Sequence, residues 1–216
     1  MVHEFNVYLS PEQQKLFDSL DSPANIQAFL DSLPYSAENA NRCPLSVLRD
    51  RQAHCLDGAL FAAAALRRLG YPPVVIDLLP DPGADDDHVL ALYQIDGYFG
   101  AVAKSNYTGL RFREAVYRTL RELVLSYFED FFSLYREKTL RSYTVPLRLE
   151  TCDHLGWMWS DAGADAIEQR LKKLRKIQLI TPQMAARLSL VDPLSEQAGT
   201  IGTNPAGVFV PKKPKR

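Results

Sequence analysis

Residues 51–70 read Arg51-Gln52-Ala53-His54-Cys55-Leu56-Asp57-Gly58-Ala59-Leu60-Phe61-Ala62-Ala63-Ala64-Ala65-Leu66-Arg67-Arg68-Leu69-Gly70. This stretch predicts a helix from Cys55 to Leu69. Gly70 is suited to the left-handed conformation that ends a helix, and Arg67 and Arg68 fall in the last turn, where the helix dipole favours cations. The run of alanines lets other backbones approach closely, so the helix is expected to be central. It opens on a cysteine. A helix N-terminus favours the thiolate through unpaired N–H groups and the positive end of the dipole.

Two shorter helices are signalled upstream. Ser10-Pro11-Glu12 and Ser22-Pro23 each place a capping serine before a proline at the first helical position. Ile26, Phe29, Leu30 and Leu33 then share one face of the second helix. Pro34 and residues 36–42 read as loop, and Pro44 to Asp50 as one short helical turn. Downstream, Val74 to Leu79 reads as a buried strand and Pro80 to Asp87 as a polar loop. His88 to Gln94 and Tyr98 to Lys104 form a hairpin around Asp96-Gly97, a strong two-residue turn signal. A long amphipathic helix is expected from Arg113 to Tyr135, with Tyr117, Tyr127, Phe128, Phe131 and Phe132 as core. A strand within Thr139–Leu149, a helix from Ala164 to Ile177 and a last helix capped by Thr181-Pro182 complete the chain.

The fold class these elements define is α+β. The chain of 216 residues divides into a main domain over 1–150, a small helical appendage over 151–198 and an extended or disordered basic tail over 199–216. Net charge is −1, so composition calls for neither nucleic acid nor a membrane as partner. The longest apolar run, Ala59 to Leu66, is too short to span a bilayer. The N-terminus lacks the basic and then apolar regions of a signal peptide, so a cytoplasmic location is expected. Three cysteines, Cys43, Cys55 and Cys152, argue against a disulfide framework. His54-Cys55 and Cys152 with His154 match no common zinc spacing, so no metal and no cofactor are expected. Cys152 and His154 read as part of a packing cluster with Trp157 and Trp159, and Asp85-Asp86-Asp87 as a solvated turn. Solvated charge is also the reading of the basic helix bearing Arg170, Lys172, Lys173, Arg175 and Lys176, and of the tail's Lys212, Lys213, Lys215 and Arg216.

The order of cysteine helix, strand, histidine-led strand, hairpin and strand resembles that of transglutaminase-like (papain-like) proteins, over roughly residues 22 to 145. Residues 104–149 also resemble bacterial proteins of this type whose activity is not established. The resemblance implies thiol-based hydrolysis or acyl transfer on a peptide or protein amide. Cys55 is then the nucleophile and His88 its base. The position of the third catalytic residue, an aspartate, falls at Ala103, which cannot orient an imidazole. Counting back from the turn places Ser105 opposite His88. Asn106 is chemically better suited but needs a bulge. Asp85, Asp86 and Asp87 are alternatives on the preceding loop, and a dyad with no third member is another. Gln52, three residues upstream of Cys55, is the candidate side-chain donor to an oxyanion. A non-enzymatic interaction module of the same fold is the competing reading, supported by Ala103.

Overall fold

The computed structural model describes residues 2–211. Its first part is helical: α1 (Val2–Val7), α2 (Pro11–Ser19), α3 (Pro23–Asp31), α4 (Pro44–Asp50) and α5 (Cys55–Arg68). Then come β1 (Val74–Pro80), β2 (His88–Ile95), β3 (Tyr98–Val102), β4 (Arg113–Tyr117), α6 (Leu120–Leu125), β5 (Leu140–Thr144) and β6 (Leu147–Arg148). The remainder holds α7 (Asp161–Lys173), β7 (Lys176–Gln178), α8 (Pro182–Ala185) and α9 (Pro193–Gly199). No helix is long and apolar enough to cross a membrane among the described residues.

The fold is α+β, with a single mixed-length antiparallel sheet ordered β4-β3-β2-β1-β5-β7 and β6 paired to β1. Side-chain alternation divides the core by sheet face. Val75, Val89, Ala91, Tyr93 and Val102 pack toward α5 and its companion helices. Ile76, Leu78, Leu90, Leu92 and Ala101 pack toward Leu123, Tyr127 and Phe131 on the other face. Helix α5 is the centre of the first layer: Ala59, Leu60, Phe61, Ala62 and Ala63 are fully buried. The buried side chains of Leu60 and Phe61 each contribute about 1.5–3 kcal/mol by leaving water. Gly70, at φ +90°, follows the helix as the left-handed residue.

The hairpin has the expected turn and register. Asp96 and Gly97 both take positive φ, 51° and 83°, as a type I′ turn requires. Ile95 pairs with Tyr98 and Gln94 with Phe99, and the ladder runs back to Ala91 and Val102. It stops there. Ala103 leaves β3 because the Gln27 side chain takes both its backbone groups: Gln27 Nε2 donates to Ala103 O at 2.9 Å, and Ala103 N donates to Gln27 Oε1 at 3.0 Å.

The long helix expected from Arg113 to Tyr135 is absent. Arg113–Tyr117 forms the edge strand β4. The helical segment is only α6, begun by a capping box in which Thr119 Oγ1 accepts from Glu122 N and Glu122 Oε2 accepts from Thr119 N. The aromatic run does belong to the core, with Tyr127, Phe131 and Phe132 buried. The helix expected over 164–177 runs from Asp161 to Lys173, and its expected end becomes β7 beside β5. Cys152 and Trp157 lie in the α5-side core, with Trp159 packed against it. The segment from Gly199 to Pro211 lies along the body: Thr203 Oγ1 donates to Asn106 O at 2.9 Å, and Asn204 is bonded to both Asn106 and Tyr35. The basic residues Lys212, Lys213, Lys215 and Arg216 lie outside the described residues.

Candidate active site

Cys55 is the first residue of α5, and the local sequence fixes that start. His54 is the cap, its Nδ1 accepting from Leu56 N at 3.2 Å, while its Nε2 lies 3.2 Å from Asp57 Oδ1. Asp57 closes the box by accepting from His54 N at 3.1 Å and also accepts from Arg42 N at 2.7 Å. Both ring nitrogens of His54 are therefore engaged in capping the helix.

The thiol sits on the floor of a cleft of about 830 Å³. Its walls include Tyr35, Glu38, Asp77, Asp87, Glu168 and Phe209. Cys55 is 8% exposed. Its Sγ reaches the backbone edge of β2 at the point where β3 has departed, 3.9 Å from Asp87 O and facing the Val89 N–H. Burial, then the charges of Asp87, Asp86 and Asp77, push the thiol well above its ordinary pKa. At neutral pH this cysteine is a thiol, and the surroundings overcome the thiolate-favouring helix N-terminus.

His88 opens β2 as expected, but its ring belongs to the other face of the sheet. Its Nε2 is 2.7 Å from Leu110 O, and the side chain is 4% exposed. A carbonyl only accepts, so Nε2 carries the proton and the neutral ring's acceptor is Nδ1. Burial, with a smaller contribution from Arg113, lowers the His88 pKa to about 4. Ser105 lines the same small pocket of about 40 Å³ as His88, together with Asn106, Tyr107 and Leu110. Its Oγ accepts from Tyr107 N at 3.0 Å. The Asn106 side chain is occupied by the C-terminal segment: Oδ1 accepts from Asn204 N at 2.8 Å and Nδ2 donates to Asn204 O at 2.9 Å. No hydrogen bond joins the Cys55 thiol to the His88 ring among the described residues. The two pockets abut, with Tyr35, Asp86, Asp87, Gly207 and Phe209 lining both.

Gln52 is turned away from the thiol. Its Nε2 donates to Glu38 Oε1 at 3.3 Å, and Gln52 is not among the residues lining the Cys55 cleft. Ala103 is fully buried, with its backbone held by Gln27.

Two residues at the site went unread in the sequence. Tyr35, placed by a parallel bridge to Ala53, brings its phenol against the Cys55 backbone. Asp77 is a single carboxylate in a buried apolar strand, and that incongruity was its signal. It is 2% exposed, lines the cleft, and its Oδ1 has no hydrogen-bond partner. Burial first and then Asp87 hold Asp77 well above the usual carboxylate range, while burial and Asp86 raise Asp87 to about 6.

Asp57 gives a testable pH dependence. Burial raises its pKa to about 7 despite its hydrogen bonds to Arg42 and His54, whereas the unfolded carboxyl titrates near 3.8. The folded state therefore holds a proton that the unfolded state lacks between these values, and this contribution is lost as pH rises through 7. Relative to Asp57→Asn, wild-type stability is expected to fall between about pH 4 and 7, by at most ~1.4 kcal/mol per pH unit, and to level off above pH 7. Urea denaturation of both proteins from about pH 4 to 8 measures this, and parallel stability curves between pH 4 and 7 would refute it.

No protein-family model matches the chain, and no curated protein matches it significantly. Two solved structures of Legionella pneumophila LapG are similar at 13% identity. One has a TM-score of 0.41 and covers 79% of this chain and 94% of LapG. The other, EGTA-treated, has a TM-score of 0.37 and covers 53% of this chain and 72% of LapG. Likeness at this level assigns no residue a role.

Proposed function

We propose that Cys55 is the nucleophile of thiol-dependent acyl chemistry, hydrolysis or transfer at an amide of a peptide or protein, with His88 as its base. The observation that carries this reading is the position of Cys55 at the head of α5 on the floor of an open cleft, beside the residue that precedes His88. His88 Nδ1 takes the thiol proton, Sγ attacks the carbonyl carbon, and the C–N bond breaks as His88 returns the proton to the leaving amine. Water or a second amine then resolves the thioester. Leu110 O holds the imidazole in the tautomer this requires, a part for which the sequence offered Ser105. The resting pair is a neutral thiol and a neutral imidazole, and Nδ1 must close on Sγ when substrate binds.

The second reading, a non-enzymatic interaction module, is favoured by Ala103 and by the raised pKa of the thiol. Acylation by p-nitrophenyl acetate, mapped by mass spectrometry, separates the two. The expected result is acetylation at Cys55 that is absent in Cys55→Ala and at least ~100-fold slower in His88→Ala. The wild-type rate should be level from about pH 6 to 9, where His88 is already neutral and the thiol still protonated, and climb only beyond, since the thiol titrates above its ordinary value of 9.0. Folded wild-type protein that acquires no acyl group on Cys55 would leave the interaction module standing.

A further inference from the structure

The walls of the Cys55 cleft carry an excess of carboxylates, and they divide into two sets. Glu38, Asp161, Asp165 and Glu168 already have partners: Arg42 for Glu38, Cys43 N for Asp161, Asn41 for Asp165, and Lys172 for Glu168 at 2.6 Å. Asp77, Asp86 and Asp87, at the end nearest the thiol, form no ion pair among the described residues. Asp86 Oδ1 accepts only the Asp87 backbone N–H, at 3.1 Å. Asp77 is the most telling of the three, because a carboxylate oxygen 2% exposed and without any donor is costly to leave unmade.

We propose that this end of the cleft binds the cationic side chain of a basic peptide, with the ammonium or guanidinium group donating to Asp77 and facing Asp86 and Asp87. The inference deepens the reading of the cleft as a substrate site and rests on it. A diffuse organic cation fits better than a metal ion, because no three His, Cys, Asp or Glu side chains converge as a metal-binding group among the described residues. A lysine or arginine also needs apolar wall for its stem, and Leu56, Val89 and Phe209 supply it in the same cleft. Burial is the first cause that raises the pKa of both Asp77 and Asp87, and the charges of Lys176 and Lys172, with which they form no ion pair among the described residues, offset it only in part.

The test measures binding in the Cys55→Ala protein, so that chemistry plays no part. A fluorescent capped peptide with one central lysine is compared with its Nε-acetyl-lysine counterpart by anisotropy. The lysine peptide is expected to bind at least about tenfold more tightly, with the preference shrinking at high salt and lost in Asp77→Asn. Asp87→Asn serves as the second variant should Asp77→Asn fold poorly. Equal affinities, binding of neither peptide, or a preference kept in both variants would each overturn the proposal. Thermal stabilisation by magnesium or calcium chloride without any response to peptide would assign the carboxylates to a divalent ion and overturn it as well. A lysine preference in a protein whose Cys55 accepts no acyl group would keep the cation site and remove only the catalytic reading.

Discussion

Asp153→Ala is expected to destabilise the protein by about 3–5 kcal/mol, the cost of leaving a desolvated partner charge uncompensated. Arg67, in the last turn of α5, grips Asp153 with two bonds, Nη1 to Oδ1 at 2.7 Å and Nη2 to Oδ2 at 2.9 Å. Trp157 Nε1 donates to the same Oδ1 at 3.1 Å, and Trp157 is fully buried. Removing the carboxylate thus leaves both a half-enclosed guanidinium and a buried indole N–H without an acceptor. It also unties the 3₁₀ segment Leu149–Leu155 from the helix that carries Cys55. Domain stabilities of about 5–15 kcal/mol make this a large fraction of the whole. Urea denaturation should show a lower midpoint with an unchanged slope. A loss below about 1 kcal/mol would class the pair with exposed salt bridges and refute the argument.

The second large effect is expected at Gly58. A Cβ built there would lie 2.2 Å from Lys104 Cβ and 3.4 Å from Lys104 Cα. Lys104 cannot yield easily, since its Nζ donates to Leu30 O in the last turn of α3 at 2.9 Å and to Leu33 O just beyond that helix. Gly58→Leu should therefore cost about 3 kcal/mol or more, the upper range for overpacking, far beyond the gain of about 1 kcal/mol in helix propensity. Lys104→Gly removes the opposing Cβ, so the double variant should recover part of the loss. A double-mutant cycle measures that recovery, and purely additive losses would show that the close approach is not the cause.

What could be read in advance followed from local signals of unusual strength. Helix α5 was legible because its alanines, cap and terminal glycine agree, and the hairpin because Asp96-Gly97 admits few other turns. The pairing of Ile95 with Tyr98 and of Gln94 with Phe99 follows from that turn alone. Extending the same count to His88 and Ser105 fails at Ala103, where the side chain of Gln27, 76 residues away, takes the place of a partner strand. No local pattern announces such a contact. The misread helix over 113–135 has a local cause: Tyr127, Phe128, Phe131 and Phe132 mimic helical spacing, while the true start signal, Thr119 with Glu122, opens only a short helix. The onsets of α5 at Cys55 and of β2 at His88 were legible in the sequence, but the face of the sheet each side chain occupies was not. Orientation at a strand's first residue depends on where the neighbouring strand ends.

The hold of Asn106 on Asn204 has a consequence for access to the thiol. Residues 206–209 form one wall of the cleft, and they are tied down by a few side-chain bonds to Asn106 and Tyr35 instead of a strand ladder. Such a wall can detach by local unfolding, at a free energy well below that of unfolding the sheet. When it recloses faster than a reagent reacts, the observed rate at Cys55 is the intrinsic rate scaled by the fraction of time the wall is open. Selectivity at the cleft then has two separable determinants, the fit of the ligand and the stability of a terminal segment that can vary without disturbing the sheet.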